Sequence, residues 1–113
     1  MVLPYRGEVW SVSLDPTQGH EQSGTRPCLV ISTNKFNHGA AGLVVVVPIT
    51  SRDKRIPSHV RIPKGEAALT EESFAKCEEV RCVSKERLSK RWGLVQPVTM
   101  SEVAQRVRII LEL

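Results

Sequence analysis

The stretch Leu43-Val44-Val45-Val46-Val47-Pro48-Ile49 is the longest uninterrupted apolar run in the chain. At seven residues it falls far short of the ~20 that a membrane-spanning helix requires. Its β-branched composition predicts a strand over Leu43–Val47, and its lack of alternation predicts burial on both faces. Outward from it, Cys28–Ser32 is a second such run. Glu8–Leu14 alternates, with Trp10, Val12 and Leu14 on one face. Ser58–Ile62 reads as a weaker strand. Ala75–Val83 reads as another, with Cys77, Glu79 and Arg81 on one face and Glu78, Val80 and Cys82 on the other. Turn residues mark the long connections Asp15–Pro27 and Ser51–Pro57.

Helical signals gather late. A short helix near Asn34–Asn37 is the exception. Ser84 can cap a helix over Lys85–Arg91, and Thr99-Met100-Ser101-Glu102 has the spacing of a capping box. Met100, Val103, Ala104, Val107, Ile110 and Leu111 then follow the i, i+3, i+4, i+7 pattern of a packing helix. Many short strands followed by one terminal helix predict a mainly β fold with appended α structure: a small, strongly curved antiparallel sheet or partly open barrel.

The 113 residues fit one domain, residues 1–113. With 41% hydrophobic and 25% charged residues, the composition excludes disorder as the main state. Three cysteines without CxxC spacing argue against a disulfide framework and a structural zinc site. With no charged-then-apolar leader, they fit a reducing cytoplasm and no membrane association. The net charge of +4 is unevenly spread. Arg52–Lys64 carries +4, Glu66–Glu79 carries −4 and Arg81–Arg91 carries +4. Such segregation can build a basic face for phosphates, or only solvated loops.

Three polar clusters stand where strands meet loops, the usual place for binding residues. They are Gly19-His20-Glu21-Gln22-Ser23-Gly24-Thr25-Arg26-Pro27, Pro48-Ile49-Thr50-Ser51 and Lys76-Cys77-Glu78-Glu79-Val80-Arg81. Singly, each has an ordinary reading as an exposed loop, a strand end or a charged edge. Together they hold a tunable acid and base, cations that can neutralise a phosphorane, and hydroxyls that can donate to a phosphate oxygen. No GxxxxGK[ST], GxGxxG, HExxH or GxSxG motif is present. Asp15 and Asp53 stand alone, which makes a poor two-metal site. The set suits metal-free cleavage of a phosphodiester through the substrate's own 2′-hydroxyl.

Three segments carry a resemblance. Arg6-Gly7-Glu8-Val9-Trp10, Leu14-Asp15-Pro16-Thr17, Gly19-His20-Glu21-Gln22 and Gly24-Thr25-Arg26-Pro27 form the first. Val47-Pro48-Ile49-Thr50-Ser51 is the second and Lys76-Cys77-Glu78-Glu79-Val80-Arg81 the third. In this order they resemble the MazF/PemK family of type II toxin–antitoxin toxins, with the first loop closest to the Kid/PemK branch. The resemblance implies a small SH3-like β-barrel with a C-terminal helix, and a homodimer. It implies a sequence-specific endoribonuclease that cuts single-stranded RNA, usually mRNA, without metal or other cofactor, leaving a 2′,3′-cyclic phosphate. It also implies a cognate antitoxin whose acidic, partly disordered C-terminal segment covers the RNA groove.

By the same resemblance Arg26, Thr50, His20, Lys76 and Glu78 form the catalytic set. Lys76 and Glu78 stand where the branch has an Arg and an Asp. Lys76 keeps the charge without the planar fork, and Glu78 adds one methylene. Glu79 replaces an amide with a carboxylate. Glu21, Gln22, Ser51, Arg52, Lys54, Arg55, Glu79 and Arg81 are the expected RNA-binding residues. Glu78 is expected as general base, its pKa raised by burial or by Glu79 against Lys76 and Arg81, with His20 as the rival. An extended strand would send only one of Glu78 and Glu79 into the groove. The residues alone leave open a non-catalytic RNA- or DNA-binding barrel, such as an inactive toxin homologue.

Overall fold

The computed structural model describes residues 2–113. In chain order the elements are β1 (Glu8–Ser13), β2 (Thr25–Val30), α1 (Asn34–Asn37), β3 (Leu43–Thr50) and β4 (His59–Ile62), then β5 (Ser73–Lys76), β6 (Arg81–Ser84), β7 (Leu88–Leu94) and α2 (Pro97–Leu111). Single 3-10 turns fill Glu66–Ala68, Cys77–Glu79 and Lys85–Arg87. All strand pairs are antiparallel, and the sheet runs β4-β5-β3-β2-β1-β7, with β6 also on β3. This is the mainly β architecture with an appended terminal helix expected above.

β3 is the hub, for the reason its composition suggests. Val44 and Val46 enter one apolar core with Trp10, Val12, Leu14, Cys28, Val30, Val83 and Leu88. Val47 and Ile49 enter a second with Val9, Leu29, Val60, Ile62, Val103 and Val107. The curved sheet thus buries both faces of β1, β2 and β3. Val103 and Val107 close the second core from α2, each burial contributing roughly 1.5–3 kcal/mol.

One edge of β3 lies against β2 along Val46–Pro48. The other pairs with β6 over Leu43–Val46 and with β5 over Ile49–Thr50. The Val45 carbonyl accepts from the Ile31 N–H on the β2 side. By strand alternation, Val46, Pro48 and Thr50 present their backbone groups to the β6/β5 side. The N–H that Pro48 lacks therefore falls on that edge, between the two paired stretches. A continuous partner would find no donor there. The facing chain instead breaks into the Cys77–Glu79 turn.

This break corrects the reading of Ala75–Val83 as a single strand. Alternating polarity survived because β5 and β6 both pair with β3, but it could not register the change of pairing. Ser84 does cap, accepting from the Glu86 N–H at 3.3 Å, yet the helix expected over Lys85–Arg91 is only one 3-10 turn. Pairing with β1, from Leu88 opposite Val12 to Leu94 opposite Glu8, overrides its weak helical preference and makes β7. α2 begins at Pro97 rather than after a Thr99 cap. Gln96 is its N-cap, proline occupies the first turn, and Thr99 is buried inside. Ile110 and Leu111 are exposed, so the apolar stripe outruns the core.

β7 lies so close to the Glu66–Ala68 turn that Gly93 is required. A Cβ there would sit 3.0 Å from the Ala67 backbone, itself held at φ 52°. Gly93→Ala should lower unfolding stability by about 1–3 kcal/mol. Urea denaturation checks this through the midpoint at unchanged slope.

Candidate functional site

The three polar clusters converge on one groove of about 590 Å³. His20, Glu21, Gln22 and Arg26 reach it from the first loop and the start of β2, and Thr50, Ser51, Arg52 and Lys54 from the end of β3 and the loop beyond. Lys76 lines it from β5. A second lobe of about 410 Å³ shares His20, Glu21, Lys54 and Lys76 and adds Ile56, Glu78 and Glu79.

Local bonds hold the first loop open. The Gly24 N–H donates to Asp15 Oδ1 at 3.1 Å, and the Gln18 N–H to Glu21 Oε1 at 2.8 Å. Arg26 Nε donates to the Ser23 carbonyl at 3.1 Å, fixing the guanidinium at the groove. Thr50 Oγ1 accepts from the Arg52 N–H at 3.2 Å, which leaves its own O–H to donate outward.

Lys76 and Glu79 form a nearly buried ion pair, with Nζ 2.5 Å from Oε2. Lys76 Nζ also donates to Gln22 Oε1 at 3.0 Å, and Glu79 Oε1 accepts from the Gln22 N–H. Glu79 thus ties the first loop to β5.

Glu78 turns the other way. Its Oε1 accepts from Ser58 Oγ and its Oε2 from His59 Nε2, both at 2.8 Å. Desolvation pushes this carboxyl up, but hydrogen bonds from His59, its own backbone N–H and Ser58 outweigh that, and Glu78 titrates below the ordinary carboxylate range. The expected rise is therefore reversed. The expectation that strand alternation separates Glu78 from Glu79 also fails in its cause: the 3-10 turn sends them to different partners, and both line the second lobe.

Two expected RNA-binding residues lie elsewhere. Arg81 Nη1 donates to the Leu14 carbonyl at 3.2 Å, and its guanidinium lines neither lobe. Arg55, within the basic Ser51–Pro57 loop, also lines neither. Sequence reasoning missed Ser58 and His59, which follow the basic loop in the most weakly marked strand. Only the β4–β5 register, His59 opposite Lys76, brings them beside the third cluster. It also missed Trp92, which reaches the groove from the unexpected β7. Burial pushes the Cys28 thiol up to about 12 and the Cys77 thiol up to about 11, so neither serves as a nucleophile. Among the described residues, no three His, Cys, Asp or Glu side chains converge as metal ligands do.

The groove is basic and gathers hydroxyls and an imidazole, with an ionised carboxylate in the adjoining lobe, a set that can hold an anion and move a proton. Residues 5–111 match the model of the PemK-like, MazF-like toxin of type II toxin–antitoxin systems, and the chain belongs to that family. It is 38% identical over 108 residues to the endoribonuclease PemK of Escherichia coli, covering 94% of this chain and 80% of that protein. Its fold is similar to that of the crystal structure of MazF from Deinococcus radiodurans, with TM-score 0.89 and 27% identity over the whole of both chains. It is also similar to a mycobacterial endoribonuclease solved in complex with its cognate antitoxin, with TM-score 0.77 and 26% identity over 100% of this chain and 97% of that one.

The Lys76–Glu79 pair makes a structural forecast. Glu79→Ala strands a nearly buried ammonium and should cost roughly 2–4 kcal/mol. Lys76→Met with Glu79→Leu removes both charges and should recover most of that loss. Urea unfolding of the single and double variants measures the difference.

Proposed function

We propose that the chain is a metal-independent endoribonuclease, the toxin of a type II toxin–antitoxin pair, acting on single-stranded RNA. The observation that carries this reading is the meeting of Arg26, Thr50, His20 and Lys76 in one groove, with an ionised Glu78 in the adjoining lobe. Arg26 and the Thr50 hydroxyl bind the scissile phosphate and the charge that grows on it. The Glu78 carboxylate takes the proton of the 2′-hydroxyl as that oxygen attacks the adjacent phosphorus. The Lys76 ammonium is committed to Glu79 and Gln22, so it supplies fixed charge. His20 borders both lobes and delivers a proton to the departing 5′-oxygen. The products are a 2′,3′-cyclic phosphate and a 5′-hydroxyl.

Ser51, Arg52 and Lys54 continue the groove as a track for the RNA backbone. An antitoxin with an acidic, partly disordered C-terminal segment would compete for the same positive charge. The 113 residues act as one domain. Among the described residues no helix is long and apolar enough to cross a membrane. A toxin directed at mRNA would act in the cytoplasm. Val98, Ile109, Ile110 and Leu111 are exposed on α2, which suits pairing of two copies. Sedimentation at micromolar concentration should return twice the chain mass, and a monomer there refutes the pairing.

Mixed RNA incubated with the protein in EDTA should be cut at defined sites, with cyclic phosphate ends and DNA untouched. Arg26→Ala and Thr50→Ala should each slow cleavage by at least about 100-fold with the fold retained. Cleavage that vanishes in EDTA and returns with magnesium would overturn this mechanism.

A further inference from the structure

The reaction set out above leaves one buried imidazole unused. The His59 side chain is 3% exposed, and its Nε2 lies 2.8 Å from Glu78 Oε2. Ser58 Oγ holds the other carboxylate oxygen at 2.8 Å. Both donors come from β4 or the residue before it, while the Glu78 side chain stays 35% exposed toward the second lobe. His59 Nδ1 is buried and meets no polar partner. A ring proton on Nδ1 would be a buried donor without an acceptor, and Nε2 would then face the carboxylate with a lone pair. The bonding pattern therefore assigns the tautomer with the proton on Nε2, donated to Glu78.

We infer that His59, seconded by Ser58, is a positioning residue that aims the Glu78 carboxylate into the second lobe. The inference rests on the reading of Glu78 as the base. A histidine kept only for packing would be replaced without loss by an apolar ring of similar volume. One that acts through its Nε2 proton would be replaced only by another donor at that reach. Glutamine is that donor: its amide N–H can take the place of the imidazole N–H.

The sign of the pH effect follows from the bonds. Phenylalanine at 59 removes a donor to the carboxylate but leaves the desolvation, so the Glu78 carboxyl must rise. The base is active only when ionised, so the acidic limb of the rate profile must move to higher pH. Other charged groups stand around Glu78: His20 and Glu21 from the first loop, Lys54 from the basic loop and Lys76 and Glu79 from its own segment border the same lobe, and Arg106 of α2 donates to the Pro57 carbonyl beside Ser58. The substitution leaves all six in place, so the movement reports what the His59 ring itself supplies, its hydrogen bond first.

The test uses the full chain with His59→Phe and His59→Gln. His59→Phe should raise the Glu78 titration, followed by carboxyl carbon NMR without substrate, by about one pH unit. The acidic limb of kcat should move with it, and kcat on its plateau should fall roughly tenfold at nearly constant KM. His59→Gln should restore both. If His59→Phe does not fold, Ser58→Ala should move the titration and the limb in the same direction by less. An unmoved titration, or a Gln variant no better than Phe, overturns the role of His59. A wild-type protein that cuts no RNA overturns the nuclease reading instead, a result the NMR titration cannot imitate.

Discussion

A donor missing from the middle of β3 shapes both the fold and the site. Pro48 interrupts the edge of the central strand at the one place where an unbroken neighbour would need an N–H. The neighbour answers by splitting into β5 and β6, joined by the Cys77–Glu79 turn. That turn is why Glu78 and Glu79, adjacent in sequence, have separate tasks. One reaches Ser58 and His59, and the other binds Lys76 and the Gln22 backbone. A plain strand in the same place would have offered one of them to the groove and the other to the opposite face.

The run of negative charge from Glu66 to Glu79 is largely consumed within the molecule. Glu66 accepts from the Gln96 N–H ahead of α2, Glu72 pairs with Arg61, Glu78 takes the Ser58 and His59 donors, and Glu79 pairs with Lys76. The basic loop after Thr50 is correspondingly less opposed than the linear charge count suggests. Glu8 is spent in the same way, beneath Trp10 and Arg91. Burial pushes its carboxyl up, and bonds from Arg91, the Tyr5 N–H and the Trp10 indole bring it below the ordinary range. The buried charges in this small sheet therefore fasten segments that lie far apart in the chain.

How much could be read beforehand varied with the kind of signal. β1, β3 and α1 were legible because β-branched runs, alternation and turn residues report local preference, but β2 only in part: it spans Thr25–Val30 rather than Cys28–Ser32, because Thr25–Pro27, expected as loop, pairs with β1. β7 was not, since Leu88-Ser89-Lys90-Arg91-Trp92-Gly93-Leu94 carries a mixed pattern whose strand state depends on pairing with β1. Arg26, Thr50, His20 and Lys76 could be singled out by chemistry and by resemblance, and they do share a groove. His59 could not, because its meaning depends on a register between β4 and β5. Arg81 looked like its basic neighbours, but its reach to the Leu14 carbonyl is set by the curl of the sheet.

The bonds that brace the groove and the sheet join distant residues: Gln22 to Glu79 across 57 positions beside the groove, and Glu8 to Arg91 across 83 between β1 and β7. Synthesis delivers the chain from its N-terminus, and long-range pairings form only after both partners exist. Arg26 and Thr50 leave the ribosome well before the segment that braces the loop beside them. A nascent chain therefore carries Arg26 and Thr50 without the frame that orients them. The complete groove arises only after residue 79 has emerged and β7 has closed on β1, so a chain interrupted earlier in translation would be harmless to the RNA around it.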